Sequence, residues 1–299
     1  MSDYHNPVLL QECLEGLNIE PNGSYVDVTY GGGGHSSAIL EKLDQGQLIA
    51  FDQDPDSLPN KVDDAKLILV HQNFKYLKNS LRLYRAIPVD GLLADLGVSS
   101  HQFNEGSRGF SFRFDGPLDM RMNPGITQSA TDILQTYEPG ELKQLFRLYG
   151  EIKNPTRLVK AILEARENGP IDTTGKLRDL AGSLAPPHKQ NQFLAQVFQA
   201  LRIEVNKELD VLKSLLNQTE EVLKPGGRLV IISYHSLEDR LVKNYMRSGN
   251  FEGELTKDLY GNIQRPFEPL NRKVIVPTEE EIELNNRARS ARLRIAIKN

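Results

Sequence analysis

The sequence predicts a doubly wound α/β domain interrupted by a small helical domain, on three observations. Four near-continuous apolar runs alternate with helix-like segments in the first third of the chain. A fifth such run follows only after a gap of more than a hundred residues, and three amphipathic helix patterns occupy that gap. Apolar runs without alternation mark parallel strands buried on both faces, and a crossover between such strands needs only a dozen or so residues.

Taken in order, strands are expected at 25–30 (YVDVTY), 46–52 (GQLIAFD), 66–72 (KLILVHQ) and 89–97 (VDGLLADLG). Between the first two, Ile39, Leu40 and Leu43 share a helical face, with Ser36 placed as N-cap. Three helical stripes follow: Leu142, Leu145, Phe146 and Tyr149; Leu158, Ala161, Ile162 and Ala165; Leu177, Leu180, Ala181 and Leu184. A long helical stretch runs from about Asn191 to Leu223, with Leu194, Val197, Phe198 and Leu201 at helical spacing, and the turn KPGG leads into a fifth strand at 227–235. At the end of the chain, Leu293, Ile295 and Ile297 alternate with Arg292, Arg294 and Lys298, the pattern of a half-buried strand. The expected organisation is therefore one discontinuous domain, 1–103 with 201–299, and an inserted helical domain, 104–200.

Composition narrows the class. The chain has 299 residues, 25% charged and 39% hydrophobic, and one cysteine. A single Cys13 excludes an internal disulfide and a cysteine-based zinc site, which fits a reducing cytoplasm, and reads as a packed small residue. No secretory leader or membrane-length apolar run is expected. A net charge of −4 argues against a general nucleic-acid coat, though not against an enzyme whose docking face alone is basic. Arginines cluster at Arg108, Arg113 and Arg121, and again at Arg287, Arg289, Arg292 and Arg294.

Four glycines, Gly31 to Gly34, separate the first strand from its helix, and Asp52 ends the second strand. Glycines there admit a ligand to the helix N-terminus, and the aspartate accepts from ribose hydroxyls. A tight turn alone would need fewer. The pyrophosphate fingerprint G-x-G-x-x-G fails, because counting from Gly31 its third glycine position holds Ser36, and no helix start offers a phosphate-binding lysine. A ligand with ribose and no pyrophosphate fits, and S-adenosylmethionine is such a ligand.

The segments HNPVLL, GGGGHS, FDQD, DGLLADLGVSS, RGFSFR, LDMRM, YGEI, FQALRIEVNKEL, PGGRL, SYHSLEDR and RSARLR run in order along nearly the whole chain. In them the chain resembles the RsmH (MraW) family of bacterial 16S ribosomal RNA cytidine methyltransferases. The resemblance implies a class I S-adenosylmethionine-dependent methyltransferase fold with an inserted helical domain for RNA recognition. It implies methyl transfer to the exocyclic N4 amine of a cytidine in the decoding centre, on 16S rRNA in the small ribosomal subunit, in the cytoplasm and without a membrane. It leaves a homodimer open. Carried over residue by residue, it puts cofactor contacts at Gly33, Gly34, His35, Asp52, Phe74, Asp95 and Gln102. Many members carry Pro and Asp where this chain has His101 and Asn104.

Cytosine's amino nitrogen is a poor nucleophile because its lone pair is delocalised into the ring, so catalysis needs an acceptor for an N–H. Asp95, at the end of the fourth strand, and His235, leaving the fifth, are the expected catalytic residues. The prolines and aromatic ring that amino-methyltransferases often carry after such an acid are absent from DLGVSS, so stacking would fall to Phe103, Phe110, Phe112 or Phe114. RGFSFRF suits splayed bases and phosphates, or equally an amphipathic hairpin with its phenylalanines in a core. Glu238, Asp239 and Arg240 read as a capped, salt-bridged helix start. His235 and Asp239 have the i, i+4 spacing of a metal pair but lack a third ligand, and no metal is expected. Asn206 and Glu204 stand off the apolar spacing of their helix and are candidates to reach the cleft. RNA contacts are expected at Arg108, Arg113, Arg121, Arg240, Arg292 and Arg294, with a solvated face as the bland reading of the last two. A nicotinamide-dependent oxidoreductase and a non-enzymatic ribosome-assembly factor are the competing readings, the first disfavoured by Ser36.

Overall fold

The structure, a computed structural model, describes residues 7–271 and 273–299. His5 and Asn6 of the HNPVLL segment lie outside the described residues.

In chain order the elements are α1 (Leu10–Leu17), β1 (Ser24–Asp27), α2 (Gly34–Lys42), β2 (Gln47–Asp52), β3 (Leu67–His71), α3 (Leu77–Leu83) and β4 (Val89–Asp95). Six helices follow: α4 (Ser100–Asn104), α5 (Ala130–Thr136), α6 (Pro139–Leu148), α7 (Thr156–Glu167), α8 (Thr174–Gly182) and α9 (Gln190–Asn206). The chain closes with α10 (Glu208–Val222), β5 (Leu223–Ser233), α11 (Ser236–Ser248), β6 (Phe267–Pro269), α12 (Glu279–Leu284) and β7 (Arg292–Lys298). Two compact units result, one made of the segments up to Gly97 and from Leu209 on, the other of Val98–Glu208.

The first unit is a seven-stranded sheet in the order β3-β2-β1-β4-β5-β7-β6. The first five strands are parallel, and β7 runs antiparallel to both β5 and β6. Alternation along each strand sends side chains to opposite faces, and both faces are covered. Val26, Ile49, Leu92 and Ile231 pack with Leu212 and Leu215 of α10 and Tyr245 of α11. Tyr25, Leu48, Leu93 and Val230 pack with Cys13 and Leu17 of α1 and Ile39 and Leu40 of α2. Double coverage explains why these strands read as unbroken apolar runs. Cys13 is fully buried, as its packing role predicts.

The second unit is helical, with one core drawn from α5 to α9 and from Phe110, Leu118, Met120 and Met122. It extends beyond the expected 104–200 at both ends. At its start Ser99 and Gln102 close a reciprocal capping box on α4. At its end Asn206 accepts from Met122 N at 2.8 Å and donates to Met120 O at 2.8 Å. The last turn of α9 is thereby tied to the LDMRM segment.

Several boundaries differ from expectation. The stretch read as one helix from 191 to 223 is two, because Lys207 takes a left-handed conformation, φ 50°. The KPGG stretch lies inside β5, where a register shift against β4 between Val89 and Gly91 accommodates it. The three-residue β6 was not foreseen; so short a segment carries no periodic signal.

Candidate active site

Three aspartates end three neighbouring parallel strands: Asp27 on β1, Asp52 on β2 and Asp95 on β4. Strand order reverses between β1 and β4, and ligands of open parallel sheets sit at the carboxyl ends beside such a reversal.

Asp27, which sequence reasoning passed over, organises this edge. Its Oδ1 accepts from Thr29 N at 3.0 Å and its Oδ2 from Ser36 Oγ at 2.7 Å. Thr29 Oγ1 in turn accepts from Asp95 N at 2.7 Å. Ser36 is thus not the N-cap of α2. Its hydroxyl is spent on Asp27, pulling the helix onto β1, and Gly33 caps α2 instead with φ 79°. A Cβ on Gly33 would come 2.7 Å from Tyr30 Oη, and one on Gly34 2.5 Å from Pro7 Cγ. These two glycines are demanded by the chain's own packing whether or not a ligand is present.

The loop is joined to the second strand. Asp52 Oδ2 accepts from Gly31 N at 2.8 Å, and Oδ1 accepts from Asp54 N at 2.8 Å. Burial pushes the Asp52 carboxyl up to about 6, against the opposing pull of these two bonds. Each oxygen keeps a lone pair, which matches the two adjacent hydroxyls of a ribose. Phe74, half-buried, opens the turn after the neighbouring strand β3. An aromatic face and a paired acceptor on adjacent strands suit a nucleoside.

Asp95 is held from two sides. Tyr234 Oη donates to its Oδ1 at 2.7 Å, and His35 Nδ1 lies 3.8 Å from its Oδ2. His35 Nε2 lies 3.0 Å from the Val8 carbonyl, so that nitrogen carries the hydrogen and Nδ1 faces the carboxylate. Burial raises the Asp95 carboxyl above the ordinary aspartate range, with His35 and then Tyr234 acting in the opposite direction. About a quarter of the side chain, 24%, stays accessible. Burial and the neighbouring Asp95 charge push the Tyr234 phenol up, so it remains a donor.

The residue of SYHSLEDR that touches Asp95 is therefore Tyr234. Its only sequence signal is its position one step beyond the end of β5. His235 caps α11 instead: Nδ1 accepts from Glu238 N at 3.4 Å. Its Nε2, buried and 3.2 Å from Glu238 Oε1, lacks the alignment of a hydrogen bond. Asp239 is engaged by Arg294 as a fork, Nε to Oδ1 at 2.7 Å and Nη2 to Oδ2 at 3.1 Å, with Arg292 Nη1 at 3.5 Å. Two of the arginines expected on RNA thus bind a carboxylate of their own unit, while Arg240 is exposed.

In the second unit, Arg121 forks onto Asp119 and also donates to Pro124 O and Ile126 O, and Arg108 donates to Arg121 O and Met122 O. Arg113 is exposed beside Phe114, which is 45% exposed. RGFSFRF forms no hairpin. Phe110 is buried, and Phe112 meets Phe198 edge-on with centroids 5.5 Å apart, so these two phenylalanines are core. Gln102 is buried in its capping box, with Oε1 accepting from Ser99 N at 3.0 Å. Asn206 and Glu204 are spent internally too, Asn206 on the LDMRM backbone and Glu204 on Tyr137 Oη and Lys207.

Comparison with known proteins gives a family match over residues 2–299, to the MraW methylase family. A protein of Christiangramia forsetii named ribosomal RNA small subunit methyltransferase H is 57% identical over all of this chain and 99% of its own length. Proteins of that name from Amoebophilus asiaticus and Parabacteroides distasonis are each 54% identical, covering 98% and 99% of this chain and 96% and 98% of their own. Among solved structures, an rRNA methylase from Streptococcus thermophilus is 14% identical over 97% of this chain and 93% of its own, with a TM-score of 0.41.

Proposed function

Because the chain belongs to the MraW methylase family, and is an S-adenosylmethionine-dependent methyltransferase of small-subunit ribosomal RNA, we propose that its target is the exocyclic N4 amine of a decoding-centre cytidine. The substrate is 16S rRNA within the small ribosomal subunit, in the cytoplasm. The observation that carries the site is Asp95, at the sheet reversal, with Oδ1 accepting a hydrogen bond from Tyr234 and Oδ2 3.8 Å from His35 Nδ1, beyond hydrogen-bonding distance.

Asp52 accepts from the cofactor ribose, Phe74 covers the adenine, and the loop of Gly33, Gly34 and His35 lies against the remainder. Bound there, S-adenosylmethionine supplies an electrophilic methyl group on a sulfonium. Asp95 Oδ2 accepts one N–H of the cytosine amine, turning the nitrogen lone pair toward that methyl group. Asp95 would take the proton that the amine gives up on methylation, a role its burial favours by raising the carboxyl's proton affinity. Tyr234 keeps the carboxylate from rotating. The second unit, with Arg113 and Phe114 exposed side by side, recognises RNA.

The test is mass mapping of 16S rRNA from cells lacking the chain. The expected result is loss of N4 methylation at one decoding-centre cytidine, restored by the wild-type chain and not by Asp95→Asn. Persistence of that methyl group in the deleted strain would refute the assignment.

A further inference from the structure

After α11 the chain forms an ordered projection, 250–266, that the methyl-transfer site does not use. Asn250 builds its base: Oδ1 accepts from Gly253 N at 2.8 Å and Glu254 N at 3.0 Å, and Nδ2 donates to Glu254 O at 2.7 Å. Above it, Lys257 pairs with Ile263 in an antiparallel bridge, flanked by Asp258 N to Asn262 O at 2.9 Å and Gln264 N to Thr256 O at 2.8 Å. Asp258 closes the tip. Its Oδ1 accepts from Tyr260 N and Asn262 N at 2.8 and 2.9 Å, and its Oδ2 from Asn262 Nδ2 at 3.0 Å. The result is a hairpin whose turn backbone is fixed.

That fixed turn displays large apolar side chains in water. Leu259 is 102% exposed and Tyr260 91%, with Leu255 at 41% and Ile263 at 37%. Paired residues of a hairpin share a face, and alternation puts Leu255 there too, so Leu255, Lys257 and Ile263 stand together. Glu254, Thr256 and Asp258 alternate to the opposite face. The apolar face therefore carries a cation and no carboxylate, below an aromatic ring held out at the tip. An isolated two-stranded hairpin is marginal in water, and hydrophobic exposure of this kind on an ordered element marks a contact surface.

We propose that the hairpin 254–265 is an RNA-contact element of this methyltransferase, separate from its catalytic pocket. Tyr260 stacks on an unpaired base of small-subunit ribosomal RNA, Leu259 flanks that base, and Lys257 meets the adjoining phosphate. Charge alone does not choose the partner, because Glu254 and Asp258 balance Lys257 and Arg265 within the hairpin; the chain's rRNA substrate does, since an exposed ring beside a lysine matches a base face and its phosphate. The proposal rests on the chain being an rRNA methyltransferase and goes beyond the cytidine it modifies.

The chain contains no tryptophan, so Tyr260→Trp places a single fluorescent reporter at the tip. The expected result is quenching of that reporter on adding small ribosomal subunits, reversed by salt. Photo-crosslinking from a benzophenone amino acid at position 260 should give an adduct that ribonuclease collapses. Tyr260→Ala should raise KM for subunits about tenfold, the usual scale for one lost base stack. It should leave kcat and S-adenosylmethionine affinity unchanged. Lys257→Ala should lower the salt dependence of binding by about one phosphate contact. An adduct to a subunit protein, no adduct at all, or an unchanged KM overturns the proposal. The crosslink reads binding alone, so its outcome is independent of which nucleotide is methylated.

Discussion

Tyr234 at the exit of β5 donates a 2.7 Å hydrogen bond to Asp95 Oδ1 at the end of β4, and so holds the carboxylate that we propose receives the amine proton. The bond joins the ends of two adjacent strands, Asp95 lying opposite Ile232 in the register. It has a measurable consequence. A donor on a carboxylate favours the ionised form, so Tyr234→Phe should raise the Asp95 pKa above its already raised value. The acid limb of the pH–rate profile should then move to higher pH, with S-adenosylmethionine affinity little changed. Single-turnover rates measured across that limb check this, and an unmoved limb would remove Tyr234 from the site.

Asp95→Asn keeps the shape of the side chain and loses the charge that we propose takes the proton. Turnover at saturating cofactor and RNA should fall about a hundredfold or more, a transition-state effect. His235→Ala should cost less, because His235 caps α11 rather than reaching Asp95. The reverse order of the two variants would move the proton acceptor to His235.

For Asp52 the variable is pH. Its carboxyl is pushed up to about 6 from 3.8, and in the proposed ribose contact only the ionised form would accept from both hydroxyls. Cofactor affinity should be level above about pH 7 and decline as pH falls through about 6, because binding favours the ionised form. The fold has the opposite preference: the stability contributed by the raised pKa is complete below 3.8 and lost as pH rises through about 6. Calorimetric titration of S-adenosylmethionine at a series of pH values tests the first statement. Asp52→Ala should weaken binding by about one to three kcal/mol, the scale of stranded polar partners, and abolish the pH dependence.

Stability should separate the two arginines on Asp239. Asp239 and Arg294 are 10% and 16% exposed at the side chain, whereas Arg292 is 50% exposed at 3.5 Å. Asp239→Ala strands the Arg294 guanidinium and should cost about 3 kcal/mol. Arg292→Ala removes a solvent-screened contact and should cost less than about 1 kcal/mol. Denaturant unfolding of the two variants provides the comparison, and equal losses would contradict the reading of the fork as the buried element.

What the sequence determined by itself was everything that depends on local pattern. The buried parallel strands, the three helical stripes, Asp52 and Asp95 at strand ends and the ribose-without-pyrophosphate reading are all visible as runs, periods and spacings along the chain. The tertiary structure decided which of two neighbouring polar residues receives a partner. Tyr234 and not His235 meets Asp95, because strand direction and register choose the side chain that crosses to β4. Ser36 binds Asp27 rather than capping α2, since the helix starts at Gly34 and brings that hydroxyl over β1. Arg121 and Arg294 look like free cations in sequence, yet each is forked onto an aspartate, one of them 55 residues away. A side chain's charge is written locally. Whether that charge is already spent depends on which groups the fold brings within 3 Å, and no period in the sequence encodes that distance.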